Sequence, residues 1–185
     1  MSQVSVIFVK GDNRFTVDRL ISNVTQGDYV HVAIKFKWGI VESLGVPEPG
    51  CILPGVRVSP LDKYDNANVH TINIRLSDPP AAEQMAKSLI GTLYSYIGCI
   101  EGGLYNRFGI QIHGCISTIL NWIIRQIAKL PVPIDTGNWT MNCSETVARI
   151  LKAGGLDVLP GVDADCITPM DLYQYLAARA AKNKR

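Results

Sequence analysis

Residues 30–44, VHVAIKFKWGIVESL, carry the pattern of a β-hairpin. Their first half alternates between a more apolar and a more polar side, which is typical of a strand with one buried face. Gly39 permits a turn, and the following residues return as a second strand. If the two strands pair, Glu42 lies opposite or diagonal to His31 on one face. A carboxylate there can fix the imidazole tautomer and raise its basicity, although on this pattern alone a surface ion pair is the simpler interpretation.

The rest of the chain predicts strands followed mostly by helices, in one α+β domain that spans residues 1–185. Alternating or β-rich runs predict further strands at residues 4–9, 56–58 and 69–76. Helical periodicity predicts helices over about 81–93, 116–130 and 143–153, and a last helix that begins at Thr168-Pro169. The first of these helices follows a cap at Asp78, and the third stops at Gly154-Gly155.

The composition favours one globular domain and excludes several classes of function. The chain has 185 residues, of which 47% are apolar, so it can bury a sizeable core. Its net charge of +2 is too small for a polyphosphate partner, and we expect no nucleic-acid binding. The five cysteines form no CxxC motif, so no metal site or cofactor is expected. Residues 1–5 lack the pattern of a signal peptide, and the expected location is cytoplasmic or virion-associated.

Cys143 is the candidate nucleophile because it stands where a loop enters the helix predicted at 143–153. At a helix N-terminus, the unpaired N–H groups and the helix dipole favour a thiolate. The backbone N–H of Cys143 can also point at an oxyanion. Such a nucleophile needs a histidine within hydrogen-bond reach. The alternative is a cysteine that only packs in the core, and its large sequence separation from His31 leaves this open.

Three segments, taken in order, resemble the circularly permuted NlpC-type papain-like thiol hydrolases: residues 27–34 (GDYVHVAI), 41–46 (VESLGV) and 142–148 (NCSETVA). This group includes the YiiX-type proteins and the lecithin retinol acyltransferase-like enzymes, and in it the histidine strand precedes the cysteine helix. Residues 91–94 (GTLY) resemble the Gly-x-x-Tyr helix end of the family, and residues 167–172 (ITPMDL) resemble its last helix start. The resemblance covers about residues 25–176.

The resemblance implies a permuted papain-like fold, in which an antiparallel sheet or small barrel carries His31 and Glu42 and packs on helices. It implies Cys143 as the nucleophile, His31 as the base and Glu42 as the group that orients His31. We also expect Tyr94 and Asn142 to contribute to the oxyanion or substrate site. The acyltransferase branch usually has a second histidine where Glu42 stands, which moves this chain toward the YiiX-type branch.

The expected function is a cysteine hydrolase, most simply a peptidase or amidase, that works through a thioester intermediate. Its substrate is a peptide, a cell-wall peptide or an acyl ester. Two alternatives stay open. One is a lipid-directed acyltransferase or phospholipase of the same fold, and the other is a non-catalytic binding or virion structural protein that retains the fold.

An apolar segment at residues 109–133 is longer than the family pattern needs. Within it, residues Ile116–Leu130 form a predicted helix that is apolar on nearly all sides. The helix is too short and too polar for a bilayer span. We expect one side to pack on the core and the other to meet a second subunit or a partner protein. A membrane surface is the less favoured contact, because Arg125 and Lys129 attract lipid only weakly.

Overall fold

The computed structural model describes residues 3–11, 28–46, 53–95 and 140–182, which contain a seven-stranded sheet and helices. The strands are β1 (Gln3–Lys10), β2 (Tyr29–Phe36), β3 (Gly39–Leu44), β4 (Gly55–Ser59), β5 (Val69–Arg75), β6 (Leu93–Tyr94) and β7 (Thr140–Met141). Their order in the sheet is β5-β1-β2-β3-β4-β6-β7. Neighbours are antiparallel except for β6 and β7, which are parallel. The α+β class and the five predicted strands are confirmed.

The helices of the described residues are α1 (Pro79–Leu89), α2 (Cys143–Ala153), a short 3-10 helix (Ala164–Cys166) and α3 (Pro169–Lys182). The carboxylate of Asp78 caps α1 by accepting a hydrogen bond from Ala81 N at 3.1 Å. The predicted stop of α2 at Gly154 is confirmed. Thr168 and Asp171 bond reciprocally at the start of α3. No helix within the described ranges is long and apolar enough to cross a membrane.

The chain after α1 differs from the predicted helix, which continued to residue 93. α1 stops at residue 89, and Tyr94 lies in β6. Gly91 has a φ of +91°, a left-handed conformation that glycine adopts without strain, and it turns the chain. The turn brings the backbone to β4, because Gly91 N donates to Val56 O (2.9 Å) and Val56 N donates to Thr92 O (2.8 Å). Tyr94 is therefore a strand residue and not the end of a helix.

A bulge interrupts the pairing of β1 with β2. The register shifts between Val9 and Lys10, which leaves Val30 as an extra residue on β2. The alternation of residues 30–36 predicts that Val30 shares a face with Val32, Ile34 and Phe36. The main apolar core contains Tyr29 in place of Val30, so this prediction was wrong at Val30. Tyr29 packs there against Tyr173 of α3, with ring centroids 4.5 Å apart.

The two faces of the sheet are covered differently. The main core lies between one face and the three α-helices. The opposite face carries a smaller cluster of Ile7, Ala33 and Ile40. Tyr64 packs on this cluster and belongs to the connection of residues 60–68, called the β4–β5 loop below. Lys35 Nζ donates to Leu61 O at 2.8 Å and so ties the loop to β2. The loop therefore covers the face of β2 that carries Ala33 and Lys35, which is the face predicted for His31.

Some predictions concern residues outside the described ranges. They include the apolar segment 109–133 and the interface predicted in Ile116–Leu130. Three of the five cysteines also lie there, namely Cys51, Cys99 and Cys115. The oligomeric contact, the partner protein and the membrane contact expected of this segment stay predictions.

Candidate active site

Cys143 is the first residue of α2, and the residue before it holds the start of this helix. Asn142 has an extended backbone, and its side-chain oxygen accepts a hydrogen bond from Glu145 N at 2.8 Å. This is the geometry of an N-cap. The amide nitrogen of Asn142 donates to Asp165 O at 3.2 Å. The N–H groups of Cys143 and Ser144 have no acceptor within the helix, because no helical carbonyl precedes them.

His31 and Glu42 approach each other from neighbouring strands. β2 and β3 pair as far as Ile34 and Val41, and in this register Glu42 lies diagonally across from His31. The distance from His31 Nε2 to Glu42 Oε2 is 2.8 Å. The side chain of Glu42 is fully buried, and that of His31 keeps 14% of its surface exposed. The contact predicted from the hairpin is therefore present, but its carboxylate is buried and the pair is no surface ion pair.

Three more donors hold the Glu42 carboxylate, and the sequence pattern indicated none of them. Lys63 Nζ donates to Glu42 Oε1 at 2.7 Å, and the Ser59 hydroxyl donates to the same oxygen. The Tyr64 hydroxyl donates to Oε2. Ser59 could have been found, because the β3–β4 register sets it diagonally from Glu42 on the next strand. Lys63 and Tyr64 lie in the turns of the β4–β5 loop, where no periodicity points to a partner.

Mutual charges shift the ionisation of all three groups. Burial on its own lowers the pKa of His31, but hydrogen bonds to Cys143 and Glu42, and their charges, raise that pKa to about 9. Burial on its own raises the pKa of Cys143, but the hydrogen bond and charge of His31 and the backbone N–H of Val32 lower it. Burial likewise raises the pKa of Glu42, but the hydrogen bond and charge of His31 hold it well below its usual range. The site thus favours a thiolate, an imidazolium and a carboxylate.

No protein-family model matches this chain, and comparison with curated proteins finds no match. The chemical capacity of the site therefore follows from its own residues. A thiolate beside an imidazolium can attack an electrophilic carbon, and the imidazolium can then protonate a leaving group. Among residues 3–11, 28–46, 53–95 and 140–182, no three His, Cys, Asp or Glu side chains are grouped so as to hold a metal ion.

Tyr94 and Asn142, the two residues expected near the oxyanion or substrate, have defined places close to the start of α2. Tyr94 pairs with Met141 in parallel register, on the strand next to the one that leads to Cys143. Its ring lies against Gly45, where an added Cβ would be 3.0 Å from Tyr94 Cε1. Asn142 uses both ends of its side-chain amide to fix the start of α2. Contact of either residue with a substrate stays a prediction.

Besides Glu42 on β3, a second carboxylate is buried: Glu145 on α2, which the sequence motifs did not indicate. Its side chain is 3% exposed, and Arg149 Nη2 lies 2.8 Å from its Oε1. Burial raises the pKa of Glu145 to about 7, although Arg149 opposes this change. The spacing of four residues between the two charges is a signal that could have found the pair. An acidic residue in this first turn also interacts favourably with the helix dipole.

Proposed function

We propose that this protein is a cysteine hydrolase that cleaves an amide or acyl ester bond through a thioester intermediate. The observation that carries the proposal is the continuous chain of interactions from Cys143 through His31 to Glu42. Each member has the role that its surroundings favour: Cys143 is the nucleophile, His31 is the acid and base, and Glu42 orients and stabilises the imidazolium.

In the first step, the Cys143 thiolate attacks the carbonyl carbon of the substrate. Because Glu42 engages Nε2 of His31, Nδ1 is the ring nitrogen left to interact with the thiol. The proton of Cys143 already resides on the imidazole in the ion pair, so the nucleophile needs no further activation. A C–S bond forms, and the electron pair of the carbonyl moves onto its oxygen.

The start of α2 supplies stabilisation for that oxyanion. The backbone N–H of Cys143 lacks an intrahelical acceptor, and the positive end of the helix dipole lies at the same place. A donor that is held in position before the reaction stabilises the developing charge without reorganisation. The Asn142 cap fixes the backbone that carries this N–H. The cap therefore stands next to the nucleophile because it holds the N–H that stabilises the oxyanion.

In the second step, the carbonyl re-forms and the bond to the leaving group breaks. The His31 imidazolium gives its proton to the departing amine or alcohol, and the acyl group remains on Cys143 as a thioester. Neutral His31 then takes a proton from a water molecule, which attacks the thioester carbon. The carbonyl re-forms, the C–S bond breaks with its electron pair returning to sulfur, the acid product leaves, and the thiolate–imidazolium pair is restored.

The order of elements supports a permuted papain-like arrangement for this site. The histidine strand β2 precedes the cysteine helix α2 along the chain, as in the family that the motifs resemble. β2, β3 and α2 pack together around the main core, with Val32, Val41 and Cys143 among its members. We therefore propose this fold, with peptides, cell-wall peptides or acyl esters as the substrate class.

Acyl transfer to Cys143 can be tested without knowledge of the natural substrate. The full chain is mixed with p-nitrophenyl acetate, and the release of p-nitrophenol is followed together with the intact mass. We expect a stoichiometric burst and one acetyl group on Cys143 in the wild type, and neither in Cys143→Ala. Cys166→Ala is the matched control, because Cys166 is another buried cysteine, and it should keep the burst. Acetylation of Cys166 in place of Cys143 would contradict the proposal.

A further inference from the structure

We propose that Lys63 and Tyr64 of the β4–β5 loop are positioning residues, which fix the Glu42 carboxylate against His31 and offset part of its negative charge. This inference rests on the proposed function and concerns how the same site is tuned. It assigns a role to a loop that covers the sheet face opposite the helices.

The contacts of Glu42 leave its carboxylate a single orientation. Oε1 accepts hydrogen bonds from Ser59 and Lys63, and Oε2 accepts them from Tyr64 and His31. Four donors occupy the lone-pair directions that two carboxylate oxygens offer. Because Glu42 is fully buried, water cannot replace a lost donor without rearrangement. The loop residues supply half of these donors, so the loop determines where Oε2 stands relative to the imidazole.

β4, α2 and the β4–β5 loop contribute charged or polar groups around Glu42 and His31, whereas β1 sets the apolar Val9 opposite His31. β4 contributes Arg57, which lies opposite Glu42 in the β3–β4 register and donates to Val46 O at 3.1 Å. α2 contributes the thiolate of Cys143, and the β4–β5 loop contributes the ammonium group of Lys63 and the Tyr64 hydroxyl. Lys63 shares the carboxylate with the imidazolium, and its positive charge weakens the hold of Glu42 on the ring proton.

This weakening matters for the second chemical step. A carboxylate that holds the imidazolium too firmly makes His31 a poor acid toward a leaving group, since efficient acids have a pKa near the working pH. A neighbouring cation favours release of the proton, because like charges disfavour the protonated ring. Lys63 therefore keeps His31 able to give its proton away, while Tyr64 keeps the hydrogen-bond geometry.

Lys35 provides a matched control on the same face of the sheet. Lys35 and Lys63 both attach the β4–β5 loop to the sheet, but Lys35 binds Leu61 O and has no hydrogen bond to Glu42. Replacing Lys35 with methionine loosens the loop and leaves the charge on the carboxylate in place. Replacing Lys63 with methionine removes that charge.

The experiment is an NMR titration of the imidazole groups in the full chain. The protein has three histidines, and His31→Asn identifies the signal of His31. We expect Lys63→Met to raise the pKa of His31 by roughly one unit, since a charge this close shifts a pKa by about 1–3 units. Lys63→Arg should restore the wild-type value, and Lys35→Met should not change it. Tyr64→Phe should give a smaller rise, because it removes a neutral donor from the oxygen that binds the ring.

Two results would overturn the inference: an unchanged His31 titration in folded Lys63→Met, or an equal rise in Lys35→Met. If Lys63→Met does not fold, Tyr64→Phe decides: a pKa of His31 that does not rise in this variant overturns the inference. Failure of the proposed function has a different signature, in which wild-type His31 titrates near its usual 6.5 and Cys143 takes up no acyl group. In that case the effect of Lys63 can still be measured, as the difference in the pKa of His31 between wild type and Lys63→Met.

Discussion

Glu42→Gln should lower both the pKa of His31 and the stability of the protein. The amide has the shape of the carboxylate but no charge, and one of its two terminal atoms becomes a donor. Four donors now point at Glu42, from His31, Ser59, Lys63 and Tyr64. Whichever way the amide turns, two donors meet its NH2 group and lose their acceptor.

The change in ionisation follows from the loss of one charge. Removal of a carboxylate at 2.8 Å should lower the pKa of His31 by about 2 units, from about 9 to about 7. At pH 8, the imidazolium fraction then falls from roughly 90% to roughly 10%. In the proposed mechanism His31 protonates the leaving amine, so hydrolysis of an anilide should slow about tenfold at this pH from this cause alone. Loss of orientation adds to this effect.

The change in stability has its own pH dependence. Breaking a buried charged contact costs roughly 3–5 kcal/mol, and Lys63 can recover part of this because its side chain is 19% exposed, so we expect about 2–4 kcal/mol. The pKa of Glu42 is lowered in the folded protein, so its contribution is present above the usual value of 4.5 and lost as the pH falls. The stabilities of wild type and variant should therefore converge in acid.

Urea unfolding at several pH values and the imidazole titration measure the two effects separately. Ser59→Ala is the control, because it removes one neutral donor. It should lower the free energy of unfolding by only about 1 kcal/mol and change the pKa of His31 little. An unchanged His31 titration in Glu42→Gln would refute the electrostatic argument. A difference in stability that stays constant down to pH 3 would refute the assignment of Glu42 as an ionised group.

Two further predictions concern the start of α2. Iodoacetamide at mildly acidic pH should modify Cys143 before the other cysteines, because His31 lowers the pKa of Cys143. Peptide mass spectrometry measures the order of labelling. Earlier labelling of Cys166 or Cys51 would show that the assignment is wrong. Asn142→Ala should lower the free energy of unfolding by about 1 kcal/mol, since it removes the N-cap of α2. Asn142→Asp keeps the cap acceptor and should retain most of the stability; equal losses in both variants would mean that the cap contributes little.

Local signals in the sequence sufficed for most elements. The alternation and turn of residues 30–44 predicted the hairpin, and the capping residues predicted where α1 and α3 begin. The prediction failed where a tertiary contact decided the outcome. Residues 91–94 continue an apolar helical spacing, but their backbone bonds to β4 outweighed it. Alternation also misassigned Val30, because a bulge depends on the partner strand and leaves no trace in a period of two.

The misassignment of Val30 and the geometry of the site both involve the start of β2. Glu42 and the β4–β5 loop lie with one face of the sheet, whereas Cys143 belongs to the core on the other face. His31 contacts both groups, and it lies where β2 departs from regular pairing with β1. The bulge at Val30 adjoins His31, and the β2–β3 pairing extends only to Ile34, which leaves the Val32 N–H to the Cys143 thiol. The bulge that breaks the periodic pattern therefore adjoins the residue that connects a carboxylate on one face with a thiolate on the other, in keeping with the frequent occurrence of bulges next to functional sites.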